Sequence, residues 1–196
     1  MLTPAPADSY RSIFRWGDPN FFKYPKESLY TLMKETFKMT DDDFKAYSDD
    51  IGFDPVDLSD HPVQLAPEHI EALKKIVGEQ NVSTTDYDRL SVAYGFTAYD
   101  ILRLRHKRVD SVPDVVLYPE TTGQVEQIVA YSTEHHIPLY VYGGGSSVTR
   151  GVEPVKGGIS LDMRRNFNKV ISFNEIDQTI TVQAGMSGPD LEKTVQ

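Results

Sequence analysis

Three consecutive glycines, Gly143, Gly144 and Gly145, constrain the fold of this chain more than any other feature of its sequence. The apolar stretch 137–141 leads into them, and two serines follow. Glycine has no Cβ atom, so such a run turns tightly and brings bare backbone N–H groups close to a ligand. Successive N–H groups that line one concavity favour anions. The sequence therefore predicts a strand that ends in an anion-binding loop, with a diphosphate as the expected ligand.

The glycine loop, residues 142–147, differs from the two commonest nucleotide-binding patterns. It has no lysine followed by Ser or Thr, which a G-x-x-x-x-G-K-S/T phosphate loop requires. Its glycines also lack the G-x-G-x-x-G spacing ahead of a helix. The sequence therefore supports neither a Walker site nor an ordinary Rossmann fingerprint.

The second half of the chain is patterned as short strands and an amphipathic helix. Thr121 and Gln124 have the spacing of a capping box. The helix that follows is predicted to turn Val125, Ile128 and Val129 inward. Strands are predicted at 115–118, 138–141, 159–161, 170–173 and 179–183, with a hairpin turn around Asn174 and Asp177. The predicted fold class is α+β with mixed sheets, and ligands bind beyond strand ends in such units.

The first half of the chain, residues 1–108, is patterned mainly as helices. Apolar residues share one helical face in two stretches, Leu29, Leu32, Met33 and Phe37, then Ile70, Leu73, Ile76 and Val77. Pro67 suits the first turn of the second helix, and Gly78 suits its end. The change of pattern predicts a boundary at Arg108, with a second domain over residues 109–196.

Two groups of side chains resemble metal ligands, but neither predicts a metal site. Acidic residues 41–43 and 49–50 lack the alternating pattern of a calcium loop, so a solvated helix start is expected. His135 and His136 lie at a predicted helix end, where cations complement the helix dipole. The expected metal content is none.

Three motifs in the second half resemble the flavoproteins with a vanillyl-alcohol-oxidase or PCMH-type FAD-binding domain. They are Val112-Pro113-Asp114-Val115-Val116-Leu117-Tyr118-Pro119, the glycine loop, and Val182-Gln183-Ala184-Gly185. The resemblance implies an incomplete PCMH-type domain at 109–196, preceded by the helical region 1–108. It implies FAD as cofactor, with its pyrophosphate on the loop backbone. The implied cofactor-binding residues are Val141, Tyr142, Gly143, Gly144, Gly145, Ser146 and Ser147.

Two positions depart from what family members often carry. Val141 stands where many have proline, and valine holds the strand end without fixing φ. Ser146 stands where some members have a histidine that bonds covalently to FAD, and the chain has no cysteine. FAD is therefore expected to be non-covalent. Ser146 and Ser147 lack the G-x-S-x-G setting of a nucleophile, so their hydroxyls are expected to bond phosphate oxygens.

Looser motifs upstream resemble the alkylglycerone-phosphate synthases of this family. They are Tyr87-Asp88-Arg89-Leu90, Tyr94-Gly95, Asp100-Ile101-Leu102-Arg103-Leu104-Arg105, and Arg15-Trp16-Gly17-Asp18 with Phe21-Phe22. This resemblance implies an FAD-dependent transferase that exchanges an acyl for an alkyl chain on acyl-dihydroxyacetone phosphate, in ether-lipid synthesis. The first alternative is an FAD-linked oxidase or dehydrogenase of a hydroxyacid or alcohol. The second is a stand-alone nucleotide-binding module.

Composition narrows the partners. A net charge of −9 argues against nucleic acid, which needs a basic face. No apolar run approaches the roughly 18 residues of a membrane span, and residues 1–10 lack a secretory signal. The expected location is the cytoplasm or an organelle interior. The expected partners are a small-molecule or lipid substrate and further copies of the chain.

Basic residues cluster before residue 109, and three interpretations of them remain open. The cluster consists of Arg103, Arg105, His106, Lys107 and Arg108. It contacts a phosphate-bearing substrate or, peripherally, a membrane surface; it pairs with acidic groups of a further domain; or it is a solvated helix end. Surface charge alone does not decide among them.

The end of the chain predicts a fragment. Ser187, Pro189 and Asp190 predict the start of a helix, and the sequence stops at Gln196 soon afterwards. In the resembled family the FAD-binding domain continues and a substrate domain follows. The catalytic residues are therefore unassigned and expected downstream, and the 196 residues alone are expected to be inactive.

Overall fold

The computed structural model describes residues 4–13, 26–45 and 52–196, and these ranges contain both helices and strands. In chain order the elements are α1 (Tyr10–Ile13), α2 (Glu27–Phe37), α3 (Asp41–Lys45), α4 (Pro67–Val77), β1 (Val82–Ser83), α5 (Asp86–Ser91), α6 (Ala98–Arg105), β2 (Val115–Leu117), α7 (Thr122–Glu134), β3 (Leu139–Tyr142), β4 (Ile159–Asp162), β5 (Val170–Asn174), β6 (Thr179–Val182) and α8 (Gly188–Val195). A 3-10 helix, Glu79–Asn81, precedes β1. All five predicted strands form, with ends shifted by no more than one residue.

Four strands form a mixed sheet in the order β1-β2-β4-β3. β2, β4 and β3 are parallel, with Val115 and Leu139 both opposite Ile159, whereas β1 is antiparallel to β2. Parallel strands end at the same edge, so the chain leaves β2, β3 and β4 on one side of the sheet. β5 and β6 form a separate antiparallel hairpin. This arrangement confirms the predicted α+β class.

One face of the four-stranded sheet packs against α4 and α7. Leu117, Ile159 and Leu161 lie on this face and contact Leu73 of α4 and Ile128 of α7. These five side chains are at most 1% exposed. Full burial of one such side chain stabilises the fold by roughly 2 kcal/mol. The largest apolar layer therefore joins helices from both halves of the chain.

The opposite face of the sheet is covered by the segment after α5. Val116, Tyr118 and Tyr142 point to this face because side chains alternate along a strand, and they pack against Val92. The predicted boundary at residue 108 lies between α6 and β2, and contacts cross it on both faces. The division into two domains stays a prediction.

Helix α7 corrects two details of the sequence analysis. Ile128 is buried as predicted and Val125 is partly buried, but Val129 is 46% exposed, so its predicted inward position is wrong. The inward stripe continues through Ser132 instead. Thr121 caps the helix by accepting from the Gln124 N–H at 3.2 Å. The Gln124 side chain accepts from the N–H of Glu120, one residue before the cap, so the predicted capping box is only half formed.

The other predicted helices form where expected. α4 starts at Pro67 and ends before Gly78, whose φ is +88°. The predicted face of α2 exists, but Leu29, Leu32 and Phe37 are exposed. α8 is capped by Ser187, which accepts from the Asp190 N–H at 3.2 Å. No helix among the described residues is long and apolar enough to cross a membrane.

Two sequence features lie outside the described residues. They are the Arg15-Trp16-Gly17-Asp18 motif with Phe21-Phe22, and the second acidic group at 49–50. The first acidic group, Asp41 to Asp43, opens α3 as predicted. In the described ranges, no three His, Cys, Asp or Glu side chains are grouped as metal ligands.

Candidate functional site

The glycine loop leaves β3 at the edge of the sheet where the parallel strands end. Gly145 has φ +65°, and a Cβ atom there would lie 2.1 Å from the Tyr142 hydroxyl oxygen. Both the backbone conformation and the close approach require glycine. Among the described residues, no atom lies within 4 Å of the position that a Cβ atom on Gly144 would take. The loop therefore packs Gly145 inward and turns Gly144 towards open space.

The backbone of the loop offers unused hydrogen-bond donors. Within the part of the chain that the structure describes, the N–H groups of residues 143–147 have no acceptor. Backbone donors are strong groups that normally find a partner, and a concave row of them attracts anions. Together with the space in front of Gly144, these donors fit a cradle for a diphosphate.

Tyr142 supports the loop from below. Its side chain is 1% exposed, and its hydroxyl donates to the Tyr94 carbonyl oxygen at 3.3 Å. Its own carbonyl oxygen accepts from the Met163 N–H at 3.0 Å. The Tyr142 side chain therefore supports the loop from the protein interior, because it lies against Gly145 and is bonded to Tyr94.

The other end of the loop is held at Ser147. Its carbonyl oxygen accepts from the Phe96 N–H at 2.9 Å, and its hydroxyl oxygen accepts from the Gly151 N–H at 3.1 Å. Ser146 is exposed, as is Val141, at 58%. The sequence-predicted residues thus lie together at the sheet edge, where Tyr142 and Gly145 are buried and the other five are exposed or partly exposed. Phosphate bonding by the two serine hydroxyls stays a prediction.

Asp162 and Arg164 belong to the same edge and were missed by the sequence analysis. Asp162 is the last residue of β4, the immediate neighbour of β3, and Arg164 follows two residues later. Arg164 Nε lies 2.8 Å from Asp162 Oδ1, and its guanidinium carbon lies 4.7 Å from the Tyr142 ring centre. Burial alone would lower the pKa of Arg164, but the bonds and charge of Asp162 outweigh it and raise that pKa. The signal was the position of this pair at the end of a strand, which is useful only once the sheet order is known.

The basic cluster of α6 is divided by internal ion pairs. Arg103 is buried, with Nη1 3.0 Å from Glu153 and Nη2 2.7 Å from Asp110. Lys107 pairs with Asp54, and Arg108 pairs with Asp110. None of the three interpretations of this cluster included these acids. Arg105 and His106 are exposed.

Glu153 is the centre of this ion-pair network. Its side chain is 4% exposed and also receives Arg150, with 2.6 Å between Nε and Oε2. Burial alone would raise the pKa of Glu153, but the hydrogen bonds and charges of Arg150 and Arg103 outweigh it and lower that pKa. The network therefore ties α6 to the segment that follows the glycine loop.

The histidines form no metal site in the described residues. The His69 Nδ1 atom lies 2.8 Å from the Tyr131 hydroxyl, and the His69 and His135 ring centres are 5.0 Å apart. His136 has φ +55° beyond the end of α7. These rings pack α4 against α7, and no carboxylate completes a ligand set there.

A cleft of about 290 Å³ lies at the opposite edge of the sheet, where the parallel strands begin. Asp114 lines it and accepts from the N–H groups of Gln64 at 2.6 Å and Gly158 at 2.7 Å. Arg89 also lines it and donates to the carbonyl oxygens of Pro113 and His61. Its buried charged groups therefore bind the protein's own backbone.

The relatives of this chain among known proteins include members of different enzyme classes. The chain is 30% identical over 135 residues to an alkyldihydroxyacetonephosphate synthase of Dictyostelium discoideum, covering 67% of this chain and 22% of that protein. It is 28% identical over 140 residues to the mitochondrial D-lactate dehydrogenase (cytochrome) 1 of Saccharomyces cerevisiae, covering 70% and 23%. The chain thus spans less than a quarter of the length of these relatives.

Solved structures show the same fold. An alkyldihydroxyacetonephosphate synthase superposes with a TM-score of 0.64 and 29% identity over 69% of this chain and 25% of that chain. A p-cresol methylhydroxylase superposes with a TM-score of 0.51 and 18% identity over 69% and 26%, a likeness of fold alone. Residues 113–196 match the family described as FAD binding domain. This segment, which contains the whole glycine loop, therefore belongs to the FAD binding domain family, and its cofactor is FAD.

Proposed function

We propose that residues 142–147 hold the FAD pyrophosphate of a flavoenzyme. The observation that carries the proposal is the row of N–H groups at residues 143–147, which have no acceptor among the described residues, beside the space that those residues leave in front of Gly144. This row lies at the edge where β2, β3 and β4 end, which is where open α/β sheets bind ligands. No base or nucleophile is assigned to the described residues.

When bound, FAD supplies a ring that takes up and returns electrons, while the protein positions and shields it. The chain's own contribution is to bind the diphosphate through backbone N–H groups and to orient it. Gly144 leaves room for it, Gly145 permits the turn, and Tyr142 supports the turn from below. The residues that act on substrate are proposed to lie in a separate substrate domain.

The finer function that we propose is that of an alkylglycerone-phosphate synthase. The Dictyostelium synthase at 30% identity and the synthase structure with a TM-score of 0.64 support it. The substrate would then be acyl-dihydroxyacetone phosphate, and the flavin would end each turnover in its starting redox state. We also propose that the full-length enzyme is located in the cytoplasm or an organelle interior, forms a homo-oligomer and binds FAD non-covalently.

The second candidate is an FAD-linked dehydrogenase of a hydroxyacid. The yeast D-lactate dehydrogenase, at 28% identity over a slightly longer stretch, favours it. In that case hydride would pass from the hydroxyacid to the flavin, and an electron acceptor would be needed. The glycine loop serves both candidates, because both use the same cofactor diphosphate.

Substitution of Gly144 tests the loop. In the full-length protein, Gly144→Val should abolish FAD retention, since its side chain would fill the space in front of the loop. Gly188→Val on α8 is the matched control, because a Cβ atom at Gly188 also has no described atom within 4 Å. Bound flavin is measured by absorbance after gel filtration. A fully loaded Gly144→Val protein would refute the assignment of the loop.

An anaerobic assay separates the two candidates. Full-length protein with oxidised FAD is mixed with acyl-dihydroxyacetone phosphate and a fatty alcohol, or separately with D-lactate. The synthase proposal expects an ether product and no net bleaching of the flavin. Stoichiometric bleaching by D-lactate without any ether product would replace it with the dehydrogenase.

A further inference from the structure

We propose that a connecting segment outside the matched domain, Tyr94-Gly95-Phe96, positions the glycine loop for the FAD diphosphate. This connecting segment lies between α5 and α6, before the matched segment 113–196 begins. None of its three residues needs to touch the cofactor. The inference rests on the proposed function of residues 142–147 and adds the device that fixes their geometry.

The first contact is a hydrogen bond at the far end of the loop. The Phe96 N–H donates to the Ser147 carbonyl oxygen at 2.9 Å. This bond fixes the peptide group that follows the row of unused donors. Because the loop carries its donors on its backbone, fixing this peptide also fixes their direction.

The second contact is the close approach of Gly95 to the same carbonyl group. A Cβ atom on Gly95 would lie 2.0 Å from the Ser147 oxygen and 3.0 Å from its carbonyl carbon. Gly95 is absent from the glycines with positive φ, so the backbone conformation itself would accept alanine. Space alone therefore requires glycine here, and any larger residue must push the loop away.

The third contact supports the middle of the loop. The Tyr94 carbonyl oxygen accepts from the Tyr142 hydroxyl, whose ring lies directly against Gly145. Tyr94 is itself anchored, because its side chain is 3% exposed and its hydroxyl accepts from the Asp110 N–H at 2.8 Å. The connecting segment is therefore held in place where it supports the loop.

These contacts tie two points of the loop to one connecting segment. Binding groups are effective when a supporting layer holds them within a fraction of an ångström of the productive geometry. A shift of Ser147 would turn its neighbours' N–H groups away from the diphosphate. FAD affinity should therefore depend on Gly95, although Gly95 lies outside the FAD binding domain match.

Gly95→Ala in the full-length protein tests the proposal. Flavin is removed, and FAD is titrated against the protein while flavin fluorescence is recorded. We expect the dissociation constant to rise by about tenfold or more, since tenfold corresponds to about 1.4 kcal/mol. The titration is run well below the melting temperature of the variant apoprotein, so that loss of folding does not mimic loss of affinity. Gly123→Ala, at which the nearest neighbour of a Cβ atom is 3.9 Å away, is the matched control and should bind FAD normally.

Tyr142→Phe keeps the proposal testable if Gly95→Ala does not fold. It removes the hydroxyl that bonds the Tyr94 carbonyl oxygen and keeps the ring under the loop. We expect a several-fold rise in the FAD dissociation constant at unchanged circular dichroism. Unchanged affinity in the folded variants overturns the proposal. If the unsubstituted protein itself binds no FAD, the proposed function fails instead.

Discussion

At the residue scale, two adjacent glycines of the loop have different roles. Gly145 is fixed by its φ of +65° and by the Tyr142 phenol, whereas Gly144 faces open space. A sequence shows both as the same letter. The triplet could therefore predict a ligand loop, but only the geometry shows which glycine serves the fold and which one faces the ligand.

We predict that alanine separates these two roles. Gly145→Ala should lower the stability of the apoprotein, because a left-handed conformation costs an L-residue about 1–2 kcal/mol and the added Cβ atom would collide with Tyr142. Gly144→Ala should leave the apoprotein stability within about 0.5 kcal/mol. Urea unfolding of the two flavin-free variants measures the difference. Equal losses at both positions would contradict this division of roles.

We also predict that FAD is released on denaturation. Ser146 stands where a histidine would form the covalent bond, and the chain has no cysteine. Acid precipitation of the full-length holoprotein should leave the yellow colour in the supernatant. A coloured pellet would reveal a covalent bond to another side chain.

At the element scale, the sequence predicted individual strands and helices better than their packing. The strands at 115–118 and 159–161 could be predicted because apolar, β-branched runs are local sequence signals. The position of β4 between β2 and β3 is a long-range pairing that no local pattern reports. For this reason the Asp162 and Arg164 pair beside the loop was missed. Val129 was misplaced because a helix face tells which residues align, not how far the core extends.

The ion pairs between α6 and the segment after the loop predict a pH dependence. Because the folded pKa of Glu153 lies below its unfolded value, about 4.3, this carboxylate stabilises the fold above that pH. That stability is lost as the pH falls through the folded pKa. Glu153→Gln should therefore be less stable than the unsubstituted protein at neutral pH, and the difference should shrink in acid.

Thermal melts at a series of pH values check this expectation. Glu192→Gln, an exposed position on α8, serves as the control and should change little at any pH. A gap between Glu153→Gln and the unsubstituted protein that stays constant down to acid would mean that the charge of Glu153 contributes nothing to stability.

At the scale of the whole molecule, the helical first half and the sheet share one apolar layer. Leu73 of α4 is fully buried against β2 and β4, although it lies outside the matched segment 113–196. The pattern change at residue 108 marks a change of secondary structure, and the domain boundary there stays a prediction. Sequence patterning reports the period of each segment and carries no information on which segments share a core.

We predict a single unfolding transition for the described parts of both halves. Leu73→Ala should lower the free energy of unfolding by about 2–5 kcal/mol, since it leaves a cavity in the shared layer. Leu102→Ala, at a side chain that is 49% exposed, is the control and should cost far less. Calorimetry of the flavin-free protein measures both. Two separate transitions, of which Leu73→Ala shifts only one, would show two independent domains.

The glycine loop is supported by a connecting segment, residues 94–96, that is far from it in sequence. This support also affects the order of folding. Tyr94 and Tyr142, joined by a hydrogen bond, stand 48 residues apart in sequence. Closing so long a segment loses chain entropy before favourable contacts form, so such contacts form slowly. The N–H donors of the loop would then reach their final orientation late in folding. FAD would therefore bind the protein only after folding is complete. It would stabilise the folded state and leave the folding rate unchanged.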